Sequence, residues 1–130
     1  MRVVFDTNVL VAAFVFPGGA DEAALRRIIE GRDELLLSKP ILDELLGVLG
    51  RKFARDAEEL SHVAVFLDEL ATMVAPRRRL RLVTDDADNR ILECAASGRA
   101  EAIVTGDKAL LALKRFETIP IVTLASYLAR

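Results

Sequence analysis

Short apolar runs, each followed by a helical pattern, constrain the fold of this chain more than any other feature. The runs occupy residues 2–5, 35–37, 102–104 and 120–122. Residues 80–83 alternate between apolar and polar side chains and also read as a strand. Strands that alternate with helices favour a parallel sheet with both faces covered, and continuous apolar runs agree with that burial. The sequence therefore predicts an α/β fold, a three-layer α/β/α sandwich with a mainly parallel sheet, formed by residues 1–130 as a single domain.

Capping residues predict where the helices begin and end. A helix over residues 7–16 is expected to end at the Pro17-Gly18-Gly19 turn. Ser38 and Pro40 predict the start of a helix, with serine as the cap and proline in the first turn. The helix that begins at Asp85 is expected to stop at Gly98. The other predicted caps are Asp21 for a helix from residue 22 to about 31, Asp56, and Thr123.

Charge and cysteine content exclude several classes of protein. The net charge of −2 excludes a chain coated with positive charge, although a local basic face can coexist with an acidic site that binds cations. The one cysteine, Cys94, excludes an internal disulfide and a thiolate zinc cluster, and its apolar neighbours predict an inert core thiol. The apolar run at residues 9–16 is too short to cross a bilayer. We expect a cytoplasmic protein with no membrane partner.

Two aspartates stand directly after predicted strands. Asp6 follows the first strand, and Asp107 follows the strand at residues 102–104 after Thr105 and Gly106. In open α/β sheets ligands bind at the carboxyl ends of the strands, and parallel neighbours would bring both carboxylates to one edge. Each aspartate alone can equally be a helix N-cap.

The stretch VTDDADNRILE (residues 83–93) holds three further aspartates at a helix start. Asp86 shares a helical face with Arg90 and Glu93, which predicts an exposed, charged face. Asp85 stands at the N-cap position, where it would accept the backbone N–H of Asp88. Asp88 shares its face with the apolar stripe of the same helix. A carboxylate directed into a protein is costly unless it is paired, hydrogen-bonded or bound to metal, so Asp88 is the candidate ligand of the three.

Glu44 is the fourth candidate, because it interrupts the apolar helical face of Ile41 and Val48. The alternative is a boundary position with the carboxylate in water. Neighbouring carboxylates raise one another's pKa unless a cation joins them, and Mg²⁺ or Mn²⁺ prefer such all-oxygen sites. The residues thus indicate metal-assisted attack of water on a phosphodiester.

The sequence lacks the residues that several other kinds of functional site require. The lone His62 provides no histidine-rich metal site, and it is expected to be a structural or surface residue. The TGDK stretch at residues 105–108 lacks the spacing and glycines of a Walker motif. A receiver-like phospho-acceptor domain should carry an acidic pair after its first strand, where this chain has only Asp6.

Four motifs in order resemble a PIN-domain ribonuclease. They are DTNVL (6–10), SKPILDELLGVL (38–49), DDADNRILECA (85–95) and IVTGDKALLAL (103–113). The similarity extends to the closing IPIVTLASYLA (119–129), and it is closest to the branch described as toxin components of bacterial or archaeal toxin–antitoxin pairs. Related chains often have Pro and Asp where Asp86 and Ala87 stand, a departure that touches none of the main acidic positions.

The resemblance implies specific roles. It places the four family acids on Asp6, Glu44, Asp88 and Asp107, which would hold Mg²⁺ or Mn²⁺ and cleave single-stranded RNA with activated water. Supporting positions are Asn8, Thr105 and Asp85. It also implies a homodimer and an antitoxin partner over the acidic cleft. Candidate contacts to substrate RNA are Lys39, Arg51, Lys52 and Lys108.

Three questions stay open from the sequence. The basic run of Arg77, Arg78, Arg79 and Arg81 is either a solvated connector or a contact for an RNA backbone or a partner. The apolar stripe that includes Phe66 and Leu67 is either core or dimer surface. Finally, a non-catalytic PIN-fold module that binds RNA or protein remains the alternative to a nuclease.

Overall fold

The computed structural model describes all 130 residues and contains six strands and seven helices. The strands are β1 (Arg2–Phe5), β2 (Glu34–Leu37), β3 (Thr72–Met73), β4 (Ala102–Val104), β5 (Arg115–Phe116) and β6 (Ile119–Val122). The helices are α1 (Thr7–Val15), α2 (Ala20–Ile29), α3 (Lys39–Phe53), α4 (Ala57–Leu70), α5 (Asp86–Gly98), α6 (Lys108–Leu113) and α7 (Leu124–Leu128).

The strands form one sheet in the order β3-β2-β1-β4-β6-β5. All neighbouring pairs are parallel except β5 and β6. In the centre, Val4 of β1 lies opposite Leu36 of β2 and Ile103 of β4. The chain winds from β1 to one side and returns through β4 on the other, so the switch point of the sheet lies between β1 and β4. The predicted α/β sandwich with a mainly parallel sheet is confirmed.

The core is aliphatic, as the near absence of aromatic residues requires. Its largest cluster joins the central strands to the inner faces of the helices, and Phe5 and Tyr127 meet edge to face within it, with ring centroids 5.6 Å apart. Cys94 is fully buried, and burial raises the pKa of its thiol to about 12, which makes it unreactive. A Cβ at Gly98 would lie 2.8 Å from Cδ1 of Leu36, so a glycine here lets the end of α5 pack against β2.

The predicted strand at residues 80–83 is wrong. Residues 76–84, which we call the strap, contain no helix or strand and run antiparallel along α5. The backbone N–H of Leu80 donates to Oε2 of Glu93 at 2.6 Å, and the N–H groups of Leu82 and Val83 donate to Oδ1 of Asn89 at 2.9 and 3.0 Å. Because helix side chains satisfy these donors, the segment needs no neighbouring strand.

Several predicted helix ends also shift. Gly19, not Asp21, is the N-cap of α2, and Asp21 lies in the first turn, where its charge favours the helix dipole. Ser38 occupies the predicted N-cap of α3 but makes no side-chain capping bond. Gly98 belongs to α5, and Arg99 takes the left-handed conformation that ends the helix, with a φ of 56°. The short strands β3 and β5 were not predicted, because two residues are too few to show the alternation that indicates a strand.

The remaining predicted caps agree with the structure. Asp56 forms a full capping box with Glu59, and Thr123 accepts the N–H of Ser126. No single helix is long and apolar enough to cross a membrane; α1 and α2 reach that length and character only as a pair bent by 96°.

Candidate active site

The switch point of the sheet brings Asp6 and Thr105 side by side. Phe5 and Val104 end β1 and β4 as register partners, so the residues after them emerge together. The N–H of Asp6 donates to the carbonyl oxygen of Val104 at 2.9 Å, which extends the pairing by one step. Both side chains are buried, with the polar Thr105 fully enclosed.

One hydroxyl links the carboxylate of Asp6 to the backbone of Asp107. Thr105 Oγ1 donates to Oδ2 of Asp6 at 2.6 Å and accepts the backbone N–H of Asp107 at 2.9 Å. Asp107 in turn accepts the N–H of Ala109 at 3.3 Å and so caps α6, as its alternative interpretation required. Asp6 makes no side-chain capping bond to α1. Capping thus explains Asp107 in part but leaves the burial of Asp6 unexplained.

Asp88 completes a group of three carboxylates. Its side chain is buried, with 5% exposed, and its Oδ2 has no hydrogen-bond partner. Burial raises its pKa to about 8, and the neighbouring carboxyl of Asp107 adds to the rise. The charge of Asp6 acts in the same direction. Burial likewise raises the pKa of Asp6, although the hydrogen bond from Thr105 opposes that shift.

Glu44 lies apart from these three. It is exposed on α3, and no hydrogen bond joins it to them. It lines a cavity of about 250 Å³ together with Thr7, which follows Asp6, and Ala87, which precedes Asp88. Glu44 therefore lies beside a cavity that none of the three aspartates lines, as the sequence interpretation of a boundary position allowed.

The supporting positions have separate locations. Asn8 is exposed in the first turn of α1, two residues after Asp6. Asp85 is exposed and caps α5, but its side chain accepts the N–H of Ala87 at 3.0 Å rather than that of Asp88. The N–H of Asp88 instead donates to the backbone oxygen of Asp85 at 3.1 Å.

The carboxylate oxygens of the site suit a hard divalent ion chemically, but the side chains do not form a complete set of ligands around one point. No group of three or more acidic, histidine or cysteine side chains is arranged so that it could hold an ion as the side chains stand. Carboxylates without a cation repel each other, and a proton on Asp88 lowers that repulsion. The unpartnered Oδ2 of Asp88 is the observation in favour of an ion, because a buried carboxylate oxygen normally has a donor.

The predicted exposed face of α5 is wrong. Only Asp86 is exposed, whereas Arg90 and Glu93 are 8% and 3% exposed and form an ion pair of 3.0 Å. Every residue of α5 from Asp88 to Ala95 is buried. The sheet covers one side of the helix and the strap covers the other, so the interior extends to the side that the helical period assigned to solvent.

Arg90 is the residue of the site region that the sequence interpretation missed. Its guanidinium donates to the carbonyl oxygen of Leu80 at 3.0 Å and lines the same cavity as Glu44. Its Nε has no partner. The i to i+3 spacing of Arg90 and Glu93 was the available signal, but the same spacing occurs on solvated helices.

The candidate RNA contacts divide into two pairs. Lys39 and Lys108 begin α3 and α6 and are exposed at the carboxyl edge of the sheet, although Lys39 pairs with Asp43 at 2.8 Å. Arg51 and Lys52 lie in the last turn of α3, about 18 Å further along the helix axis than Lys39. The fold therefore brings only the first pair near the three aspartates.

The stability of the metal-free protein is expected to fall as the pH rises from about 5 to about 8. The folded state keeps a proton on Asp88, whose pKa is about 8, where an unfolded chain with the ordinary value of 3.8 has lost it. This contribution is complete below the unfolded pKa and disappears as pH passes the folded one. Burial alone would raise the pKa of Asp33, but hydrogen bonds from the Met1 ammonium and Tyr127 lower it, so Asp33 titrates below this window.

Thermal unfolding in EDTA across that window measures the effect. We expect a melting temperature lower by about 5 °C at the upper end, and a smaller difference when Mn²⁺ is present. A melting temperature that is constant or rises over this range without metal would contradict the assignment of a buried, protonated Asp88.

The chain is similar to a known protein family and to a protein from an archaeon. A family model described as "PIN domain" matches residues 2–109. An uncharacterized protein of Methanocaldococcus jannaschii is 27% identical over 118 residues, which cover 88% of this chain and 76% of that protein.

Three solved structures share the fold. VapBC2 from Rickettsia felis, solved with a DNA fragment from their promoter, aligns with a TM-score of 0.69 at 18% identity and covers 95% of this chain and 98% of its own. VapBC-1 from nontypeable Haemophilus influenzae gives 0.64 at 18% identity, with coverage of 96% and 99%. FitAcB from Neisseria gonorrhoeae gives 0.56 at 16% identity, with coverage of 95% and 98%.

Proposed function

Because this chain belongs to the PIN domain family, we propose that it is a Mg²⁺- or Mn²⁺-dependent endoribonuclease that hydrolyses phosphodiester bonds of single-stranded RNA. Proteins of this family are generally nucleases. The buried carboxylate of Asp88 carries the proposal, since its Oδ2 lacks a partner and its neighbours are further carboxylates. We take residues 1–130 as one PIN-like domain, because α7 packs on α2 beyond the matched segment.

Three side chains supply the metal ligands in this proposal. Thr105 holds Asp6 with one oxygen engaged at 2.6 Å, which fixes the carboxylate and leaves its other oxygen for an ion. The backbone N–H of Asp107 donates to the same hydroxyl, which fixes the main chain of Asp107 beside Asp6. Asp88 contributes the free Oδ2. A bound Mg²⁺ or Mn²⁺ would lower the pKa of a water and stabilise charge on the phosphate and the leaving oxygen.

The fourth acid has a different task. Glu44 faces the cavity rather than the three aspartates, so we assign it to a second ion or to orienting the attacking water. Asn8 and Thr105 position water or phosphate by hydrogen bonds. Asp85 supports the site by capping the helix that carries Asp88. Lys39 and Lys108 are the candidate contacts to substrate phosphates at this edge.

The proposal includes two protein partners. The structural neighbours are toxin–antitoxin complexes, and on that basis we assign this chain the toxin role, with a cognate antitoxin covering the acidic cleft. We also propose a homodimer. Of the predicted apolar stripe, Leu67 is buried, but Phe66 and its neighbour Val65 are exposed and available for self-association.

A binding module without catalysis is the rival function. The absence of a closed ligand cage as the side chains stand is the observation that favours it. Calorimetric titration with Mn²⁺ separates the two, because a module without a metal site should release no heat that depends on Asp6.

Cleavage of a labelled single-stranded RNA tests the proposal directly. We expect cleavage with Mn²⁺, none with EDTA, and a decrease of roughly 100-fold or more for Asp6→Asn, which removes a buried ligand charge and keeps the side-chain shape. The matched control is Asp68→Asn, an exposed position on α4 that forms no ion pair and lies outside the site. Equal cleavage by wild type and Asp6→Asn at saturating Mn²⁺ would refute the assignment.

A further inference from the structure

A row of arginines on the strap has no part in the proposed reaction. Arg77, Arg78, Arg79 and Arg81 are all exposed, and no acidic residue falls within residues 76–84. The whole chain carries a net charge of −2, so the strap reverses the average charge locally. A solvated connector could carry the same residues. The backbone beneath them decides between the two interpretations.

Three side chains of α5, two of them buried, fix that backbone. The strap is attached at Ser97, Glu93 and Asn89 through the N–H groups of Arg77, Leu80, Leu82 and Val83. Asn89 also donates to the carbonyl oxygen of Val83 at 2.9 Å. Burial of the charged Glu93 has a large desolvation cost that a mere connector has no need of. The strap is therefore a surface of defined shape.

The strap leads to the three aspartates. Its attachment points descend from Ser97 to Asn89, so it follows most of α5. These positions are about 12 Å apart along the helix axis, which is long enough for at least two backbone phosphates. The strap ends at Thr84, four residues before Asp88.

Most of the charge on this surface is free. Arg77 and Arg81 form no ion pair, and neither does Arg99, which lines a depression of about 440 Å³ with Arg77 and Arg78. Arg78 is held by Glu117 at 2.6 Å and lies over the ring of Phe116 at 5.7 Å, and Arg79 lies 4.0 Å from Asp86. The surface thus combines three unpaired guanidinium groups with two paired ones.

We propose that the strap, with Arg99 at its far end, binds the sugar–phosphate backbone of single-stranded RNA and extends the cleavage site along α5. The choice of RNA as ligand rests on the proposed function. Free guanidinium groups on a fixed backbone hold phosphates without reading sequence. An acidic protein fits less well, because protein interfaces have an apolar centre and the strap exposes only one large apolar side chain, Leu82.

RNA binding measured without cleavage tests the proposed RNA-binding surface, which we call the track and which consists of the strap and Arg99. The probe is a fluorescein-labelled oligouridylate of about 12 nucleotides, titrated by anisotropy with wild-type protein in EDTA at several salt concentrations. For Arg77→Gln/Arg81→Gln we expect affinity lower by about 10- to 25-fold near 0.1 M salt, and a salt slope smaller by about 1.4. The control Arg26→Gln/Arg32→Gln removes the same charge at exposed positions away from the strap and should bind like wild type.

The outcomes separate the track from the proposed function. If RNA binding depends on the strap but the protein does not cleave RNA in Mn²⁺, the track is supported and the proposed nuclease function is refuted. Equal RNA affinity of the two double variants, or no RNA binding by wild type, would overturn the track whether or not the protein cleaves RNA. Loss of binding to an acidic peptide with unchanged RNA affinity would overturn it in favour of a protein partner.

Discussion

Asp88→Asn is expected to reduce Mn²⁺-dependent RNA cleavage by roughly 100- to 1,000-fold, the size of effect that follows loss of one preorganised charged group in an active site. The substitution keeps the volume of the side chain and removes the buried charge beside Asp6 and Asp107. It should also weaken Mn²⁺ binding by calorimetry. In metal-free protein at pH 8 the variant should be more stable than wild type, because the pKa of about 8 marks a carboxylate that is costly to ionise.

Asp86→Asn is the matched control, two residues earlier in the same helical turn. Asp86 is 69% exposed in its ion pair with Arg90, so its loss should change stability by less than about 1 kcal/mol. Cleavage should remain within a few-fold of wild type. If both variants cleave alike, or if Asp88→Asn is less stable than wild type at pH 8 without metal, the role given to Asp88 is wrong.

Arg90→Met is expected to lower the free energy of unfolding by about 3–5 kcal/mol, the usual cost of removing one partner from a buried ion pair. Methionine keeps most of the apolar stem but leaves Glu93 buried without its cation at 3.0 Å. It also removes the donor to the carbonyl oxygen of Leu80. Urea denaturation measures the change. Hydrogen exchange should show lost protection at the amides of Leu80 and Val83, since the strap depends on this network.

An exposed pair of similar length provides the control. Glu22 and Arg26 lie 3.1 Å apart on α2, and Arg26→Met should cost no more than about 0.5 kcal/mol. The double variant Arg90→Met/Glu93→Gln should recover part of the loss, because it no longer buries a lone charge. A cost below about 1 kcal/mol for Arg90→Met would mean that solvent reaches the pair and that the strap is not fixed.

Residues directly after strands were the most predictable part of the site. An apolar run predicts a buried parallel strand, and the residue that follows such a strand must lie at the carboxyl edge of the sheet. That is why Asp6 and Asp107 were predicted to lie at one edge, where Thr105 bonds to the carboxylate of the first and the backbone N–H of the second. The side on which Glu44 lies was less certain, because a helix boundary position has no such constraint, and it faces a separate cavity.

The strap and α5 were the least predictable. Helical period identified Asp88 as inward, and the structure agrees, yet the same argument placed Arg90 and Glu93 in water. Helical periodicity distinguishes one apolar, buried face from one face in solvent. It cannot show that an irregular segment covers the second face. The strap resembles a strand in residues 80–83 because its apolar and polar residues alternate, but its backbone N–H groups bond to side chains of α5 and not to a neighbouring strand.

Local periods and caps were enough to predict the alternation of elements, the aliphatic core and the acids at the strand ends. The packing of distant segments decided that Asp88 joins Asp6 and Asp107, that Glu44 lines a separate cavity, and that the arginines of the strap form an ordered row. Those outcomes depend on which surfaces come into contact across large separations in the chain. A carboxylate acquires a raised pKa, and an arginine a fixed position, only from neighbours that the fold provides.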